Sequence, residues 1–181
     1  AEQFNADLKE GVKYLIANGL VEPDPAQPDQ PLPASLAKFL RTAPNLNAVV
    51  VGDYLGRNKP INIAVLDAYL ATFDHVMAAQ GFIGSLRAFM ESFRVPGEAQ
   101  VIGRVLELYA NHFIAHGNAT HTFANADAVY ILAYSAILLN VDQHSERVKK
   151  RMTEADFIQN NRKLNGGENF PLDLLKAVYA S

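Results

Sequence analysis

The chain has 181 residues, 49% of them hydrophobic and 19% charged, enough for one sizeable core or at most two small ones. Its formal net charge of -3 and pI near 5.9 give no global basic field, which disfavours a nucleic-acid partner. There are no cysteines, so a disulfide scaffold, a thiolate nucleophile and a cysteine-bound zinc are excluded.

No apolar run approaches the ~20 residues that a membrane-spanning helix needs. The opening Ala1-Glu2-Gln3-Phe4 has no basic-then-apolar signal pattern, and neither a myristoylation start nor a prenylation tail is present. The expectation is an excised intracellular domain, in a reducing compartment, that meets a membrane only through a partner or flanking regions.

Helical periodicity dominates, and no alternating strand is predicted. Asn5 is expected to cap a first helix with Leu8, Val12, Leu15 and Ile16 on one face, closed by Gly19. A proline-rich connection follows, from Pro23 to Pro33, and reads as an exposed loop. Short helical patterns cover about 34–42, 46–55 and 61–73, separated by Pro44, Gly56 and Pro60. The stretch 82–93 places Phe82, Leu86, Phe89, Met90 and Phe93 at helical spacing. Val95-Pro96-Gly97 then breaks the chain before a long helix over roughly 98–115. After a loop from His116 to Thr122, which carries His121, Asn125 is expected to cap an apolar and buried helix over 126–141. Thr153 and Asp156 have capping-box spacing, Asn165-Gly166-Gly167 is expected to stop that helix, and Pro171 suits the first position of a last one. The sum is eight to ten short helices with no sheet, an all-α domain.

Two segments carry the functional information. In Phe93-Arg94-Val95-Pro96-Gly97-Glu98-Ala99-Gln100, proline and glycine force a tight exposed corner, and Glu98 stands at the next helix start. Locally, an acid there has an ordinary explanation, since it complements the helix dipole. The second segment is Asp127 to His144, a core-type helix whose end is dense in polar groups at Asn140, Asp142 and His144. Exposed polar groups beside an apolar helix suggest a recognition surface.

Together these segments resemble the two signature motifs of the Sec-seven domain, the catalytic module of guanine-nucleotide exchange factors for Arf-type small GTPases. The first matches F-R-L-P-G-E-A-Q except for Val95 in place of leucine. The second matches the A-Y-x-L-A-Y-S-x-I-M-L-N-T-D-L-H region and continues through Val148 to Thr153 and Asp156-Phe157. The likeness runs over essentially the whole chain, from Phe4-Asn5 and Gly11 to Leu15 onward. Departures are Leu138 for methionine, Val141 for threonine, Gln143 for leucine and Gly103 for a frequent aspartate.

The resemblance implies a right-handed superhelix of about ten short helices with a hydrophobic groove in its C-terminal half. It implies one exchange domain over 1–181, with an N-terminal half of about 1–95 and a C-terminal half of about 96–181. Glu98 would act on the phosphate and magnesium site of the GTPase, a catalysis of exchange without covalent chemistry. Phe93, Arg94, Pro96, Gly97, Tyr130, Ala133, Tyr134, Ile137, Leu138 and Met152 would contact the GTPase, with Asn140, Asp142 and His144 at the polar edge. Tyr134, Ser135, Asp142 and Met152 match members sensitive to brefeldin A, which wedges between exchange domain and GTPase. That points to the large Golgi-type branch and a cytoplasmic protein peripheral at Golgi or endosomal membranes. No cofactor is implied.

Three other constellations carry less. His112 and His116 share a helix face at i, i+4, but no third ligand stands at a suitable spacing, so no metal site is predicted. The Arg147 to Arg151 cluster suits an acidic lipid, the GTPase or plain solvation. Ser135, Asp142 and His144 have the residue types of a hydrolase triad, but a serine within a helix lacks a nucleophile elbow. The alternative of another class is a non-catalytic helical module that binds a GTPase or a partner helix in the same groove.

Overall fold

The computed structural model describes residues 1–117, 119 and 122–181; His121 lies outside the described residues. Its helices are α1 (Glu2–Ala6), α2 (Leu8–Ala17), α3 (Pro33–Thr42), α4 (Ala48–Gly56), α5 (Pro60–Ala71), α6 (Asp74–Glu91), α7 (Ala99–His116), α8 (Ala126–His144), α9 (Glu154–Asn160) and α10 (Leu172–Ala180). Two strands, β1 (Pro23–Asp24) and β2 (Gln27–Pro31), form a small antiparallel pair between α2 and α3. The all-α class stands. The proline-rich connection, however, is a hairpin rather than an open loop. Leu32 N–H donates to the Glu22 carbonyl at 2.7 Å and closes its base.

Local chemistry sets most helix starts. Asn47, Asn125 and Thr153 each accept a backbone N–H of the first turn, which removes an otherwise orphaned donor. Thr153 and Asp156 form the reciprocal capping box. Pro33 and Pro60 open α3 and α5, where a missing N–H costs nothing.

Several boundaries differ from the sequence expectation. Asp7, not Asn5, caps α2, accepting from Glu10 N–H at 2.8 Å. Asn5 instead accepts from Asn47 N–H and donates to the Asn45 carbonyl, both at 2.9 Å, tying the N-terminus to the start of α4. The helix anticipated from 82 begins at Asp74 and is broken at Gly81, whose φ of 61° and ψ of -157° suit only glycine. α9 ends at Asn160, ahead of Asn165-Gly166-Gly167, and Pro171 is the N-cap of α10 rather than its first residue.

One buried apolar cluster extends from Phe4 to Val178. At its centre Phe89 stacks on Tyr109 (centroids 5.6 Å, 22°) and Tyr109 on Phe113 (5.9 Å, 21°), while Tyr69 meets Phe93 edge-on at 5.9 Å. Each such ring contributes about 1.5–3 kcal/mol by burial. The Tyr109 hydroxyl lies 2.8 Å from Ser85 Oγ, so the most enclosed tyrosine keeps a polar partner. This aromatic column joins α5, α6 and α7, and α7 packs along α8. The corner before α7 and the helix α8 are thereby mounted on one packed body.

Candidate functional site

The corner 92–98 is held from both ends. Phe93 is buried among Tyr69 and Phe89, and Arg94 N–H donates to the Ala48 carbonyl at 2.9 Å. α4 approaches the corner so closely that a Cβ on Gly52 would stand 1.8 Å from the Arg94 carbonyl oxygen. One turn on, a Cβ on Gly56 would meet Val101 at 2.8 Å and Pro96 at 3.4 Å, and the Arg104 guanidinium donates to the Gly56 carbonyl. α4 is therefore the platform beneath the corner. Its two glycines, four residues apart, are what let the backbones meet.

Glu98 is the N-cap of α7, one residue outside the helix, with extended backbone (φ -82°, ψ 125°). Its carbonyl accepts from Val101 and Ile102 N–H, but its side chain makes no cap hydrogen bond. It is exposed, and Pro96 and Gly97 precede it on the pinned corner. An N-cap acid normally folds back onto the N2 or N3 amide. Here the carboxylate is uncommitted and projects from a fixed backbone.

A cleft of about 570 Å³ lies between α7 and α8, from Ala99, Gln100 and Gly103 beside Tyr130 to Glu107 and Asn111 beside Ala126 and Asp127. A Cβ on Gly103 would touch the Tyr130 hydroxyl at 3.5 Å, so the glycine leaves room beside that ring where a larger side chain would fill it. Beyond it, Tyr130, Tyr134, Ile137, Leu138 and Val141 share one face of α8 by their three- and four-residue spacing. Tyr130 and Tyr134 are half-buried with centroids 6.1 Å apart, and Leu138 and Val141 remain 52% and 54% exposed. An apolar stripe this open on an otherwise well-buried helix is the kind of surface that a partner covers.

The polar rim divides in two. Asn140 and His144 are exposed, with His144 Nδ1 2.9 Å from the Asn140 carbonyl. Asp142 turns the other way: its Oδ2 accepts Met152 N–H at 2.6 Å. Gln143 Nε2 and the Tyr179 hydroxyl both donate to the Met152 carbonyl, at 2.7 and 3.0 Å. Asp142 and Gln143 thus fasten the segment after α8, and they place Met152 beside Asp142. Ser135 lies seven residues before Asp142, on the same face.

Two residues expected at the partner surface are interior. Phe93 is 3% exposed and Ala133 is fully buried. They shape the groove from behind, because the first packs in the aromatic column and the second faces the core side of α8. The triad idea fails on geometry, since His144 and Asp142 are bonded to Asn140 and Met152 rather than to Ser135. Arg147, Lys149, Lys150 and Arg151 are exposed. Sequence reasoning missed the α4 platform, the Gln143 and Tyr179 hold on Met152, and a third partner for the histidine pair. Asp74 Oδ1 lies 2.6 Å from His112 Nε2.

The structure thus sets an uncommitted carboxylate on a pinned corner, on the same body as an exposed apolar stripe of α8. The family model of the Sec7 domain matches residues 1–181. The chain belongs to the Sec7 domain family. It is 40% identical over 181 residues to the ARF guanine-nucleotide exchange factor GNL2 of Arabidopsis thaliana, covering all of this chain and 12% of that protein. It is 38% identical over 176 residues to the Brefeldin A-inhibited guanine nucleotide-exchange protein 1 of the same plant, covering 97% of this chain and 10% of the relative. The chain therefore spans about a tenth of the length of these relatives.

Among solved structures this Sec7 domain resembles the catalytic domain of Sec7p, with a TM-score of 0.85 and 34% identity over 98% of this chain and 88% of that one. It also resembles a Sec7 domain bound to ARF1-GDP and Brefeldin A, with a TM-score of 0.85 and 30% identity over 99% of this chain and 86% of that one. Within this Sec7 domain the departures from the family pattern cluster at the groove. Val141 removes a hydroxyl from the exposed stripe, Leu138 keeps it apolar, Gly103 leaves room beside Tyr130, and Gln143 supplies a donor that leucine lacks.

Proposed function

We propose that this Sec7 domain promotes GDP release and GTP loading on Arf-family small GTPases, with Glu98 as the residue that ejects the nucleotide. The observation that carries this reading is the Glu98 carboxylate, exposed and without a cap hydrogen bond, on a corner fixed to α4. The names of the relatives and the domain solved with ARF1-GDP support the choice of partner.

The chemistry follows from charge. GDP and its magnesium ion are held in a small GTPase largely by electrostatics around the phosphates. A carboxylate driven beside the β-phosphate repels it, competes for the metal position and can pair with the phosphate-binding lysine. One unit charge at ~4 Å in an effective dielectric of ~20 amounts to about 4 kcal/mol. That is roughly a thousandfold in rate, enough for one residue to dominate. The stripe from Tyr130 to Val141 acts differently, by binding the switch segments in a conformer that no longer closes over the nucleotide. Residues 1–181 act as one unit, with the glutamate corner and groove in the C-terminal half.

Release of fluorescent GDP from an N-terminally truncated Arf tests the proposal. Wild-type domain accelerates release, Glu98→Gln loses up to about a thousandfold of that acceleration, and Glu98→Lys docks without releasing. Tyr130→Ala weakens docking instead, raising the domain concentration needed for half-maximal rate. Wild-type exchange by Glu98→Lys would sink the glutamate role. Binding by wild-type domain without any acceleration would leave the non-catalytic interaction module in its place.

Ser135, Asp142 and Met152, with Tyr134 on the adjoining face, form the brefeldin-sensitive constellation, so the drug stabilises the complex with GDP-bound Arf. Sedimentation of domain and Arf with and without brefeldin A checks this. The parent protein is assigned to Golgi or endosomal membranes, reached through the GTPase or other regions. No helix among the described residues is long and apolar enough to cross a bilayer.

A further inference from the structure

The cluster of Asp74, His112 and His116 lies outside the exchange machinery. His112 and His116 stand one turn apart at the end of α7, with ring centroids 4.3 Å apart and planes inclined at 26°. Asp74 opens α6 and reaches them from a different element, its Oδ1 2.6 Å from His112 Nε2. One ligand atom from each residue, a carboxylate oxygen and two imidazole nitrogens, falls within 4.8 Å of the others. The His116 Nδ1 lies 3.2 Å from the His112 carbonyl. An N–H···O bond there leaves Nε2 of His116 with the free lone pair.

A hydrogen-bonded His112–Asp74 pair accounts for two of the three residues. Helical spacing sets the second imidazole alongside the first, and Asp74 from α6 brings a carboxylate within reach of both. We propose that Asp74, His112 and His116 bind a divalent transition metal of the zinc class and clamp the start of α6 to the end of α7. Two imidazoles and one carboxylate are a borderline donor set suited to zinc rather than to magnesium or calcium, which take all-oxygen sites. Metal–ligand bonds of ~2.0–2.2 Å put tetrahedral ligand atoms ~3.3 Å apart, so the Asp74–His112 pair must open from 2.6 Å while the wider separations, up to 4.8 Å, must close. The mobile members can supply that, because His116 is exposed and the Asp74 side chain is 46% exposed, while His112 at 7% is the fixed anchor. The same openness admits water to the fourth position. Glu98 caps the opposite end of α7, ~27 Å away for an 18-residue helix, so the clamp acts on stability rather than on the exchange chemistry.

The test uses the 181-residue chain without any added polyhistidine, stripped with chelator and titrated with zinc chloride or cobalt chloride alone. One saturable equivalent of zinc is expected, with a tetrahedral cobalt absorption band. The melting temperature should rise about 5–10 °C at zinc a hundredfold above its Kd. His116→Ala and Asp74→Asn each weaken binding tenfold or more and remove the rise, while both fold without metal because their side chains are solvent-facing. His75→Ala, next to Asp74 and exposed, binds as wild type. Absence of saturable zinc binding overturns the proposal. So does a zinc response that survives His116→Ala and Asp74→Asn, or one lost equally in His75→Ala.

Discussion

The distance between α4 and the glutamate corner leaves no room for even one methyl group, since a Cβ on Gly52 would sit 1.8 Å from the Arg94 carbonyl oxygen. The obstacle is backbone, not a flexible side-chain end, so it cannot swing aside. Gly52→Ala should therefore push the corner off α4, at a cost above the ~1–3 kcal/mol of ordinary overpacking. Urea denaturation reads the stability loss. GDP release reads the second consequence, a fall in exchange with Glu98 itself untouched. A stable variant with wild-type exchange would show that the platform does not position Glu98. The exposed corner and the place of Glu98 at the start of α7 were legible in Val95-Pro96-Gly97. Gly52 was not, because local spacing does not report an approach between residues 42 apart in the chain. The same limit hid Asp74 from the histidine pair.

Among the elements, legibility followed the strength of the local signal. α3, α5, α7 and α8 have long apolar faces and clear punctuation, and the structure places them within a few residues of expectation. The first half of α6 escaped because Asp74 to Gln80 buries only Val76 and Met77, too few to show a period. The β1–β2 hairpin escaped because its strands are short and rich in proline, which ordinarily argues against pairing. Gly81 lets α6 change direction, and Gly81→Ala is expected to cost about 1–3 kcal/mol through backbone strain alone. Circular dichroism melts compare it with Gly103→Ala, whose added Cβ makes only an ordinary 3.5 Å contact with the Tyr130 hydroxyl. At α9, Thr153→Ala removes the capping box and about 1 kcal/mol of stability. The Thr153 side-chain and backbone donors hold the Asp156 carboxyl below its usual value. Its stabilising effect is thus present at neutral pH and fades as pH falls through that depressed value. In Thr153→Ala the acid limb of the stability profile should flatten.

For the molecule as a whole, the continuous core couples the N-terminal helices to the groove. Burial pushes the Tyr54 hydroxyl up to about 12, and Tyr109, with the Ser85 hydroxyl as its partner, is also raised. In the unfolded chain both ionise near ~10. The stability they confer is complete below pH ~10 and is lost as pH climbs from there through the raised values. The melting temperature should fall steeply across that alkaline window. Tyr54→Phe, which keeps the ring contact with Phe4 at 5.8 Å, should make the fall shallower. A slope unchanged by Tyr54→Phe would assign the loss to other groups.

The Met152 carbonyl accepts from Gln143 on the groove helix and from Tyr179 on α10. That one oxygen therefore ties the end of α8 to the last helix, beside the direct packing of α10 on α8 and α9. Tyr179→Phe cuts the linkage while leaving the ring against Phe157. A domain so altered should hold its fold and lose only the ~1 kcal/mol that one hydrogen bond contributes, read as a small fall in melting temperature.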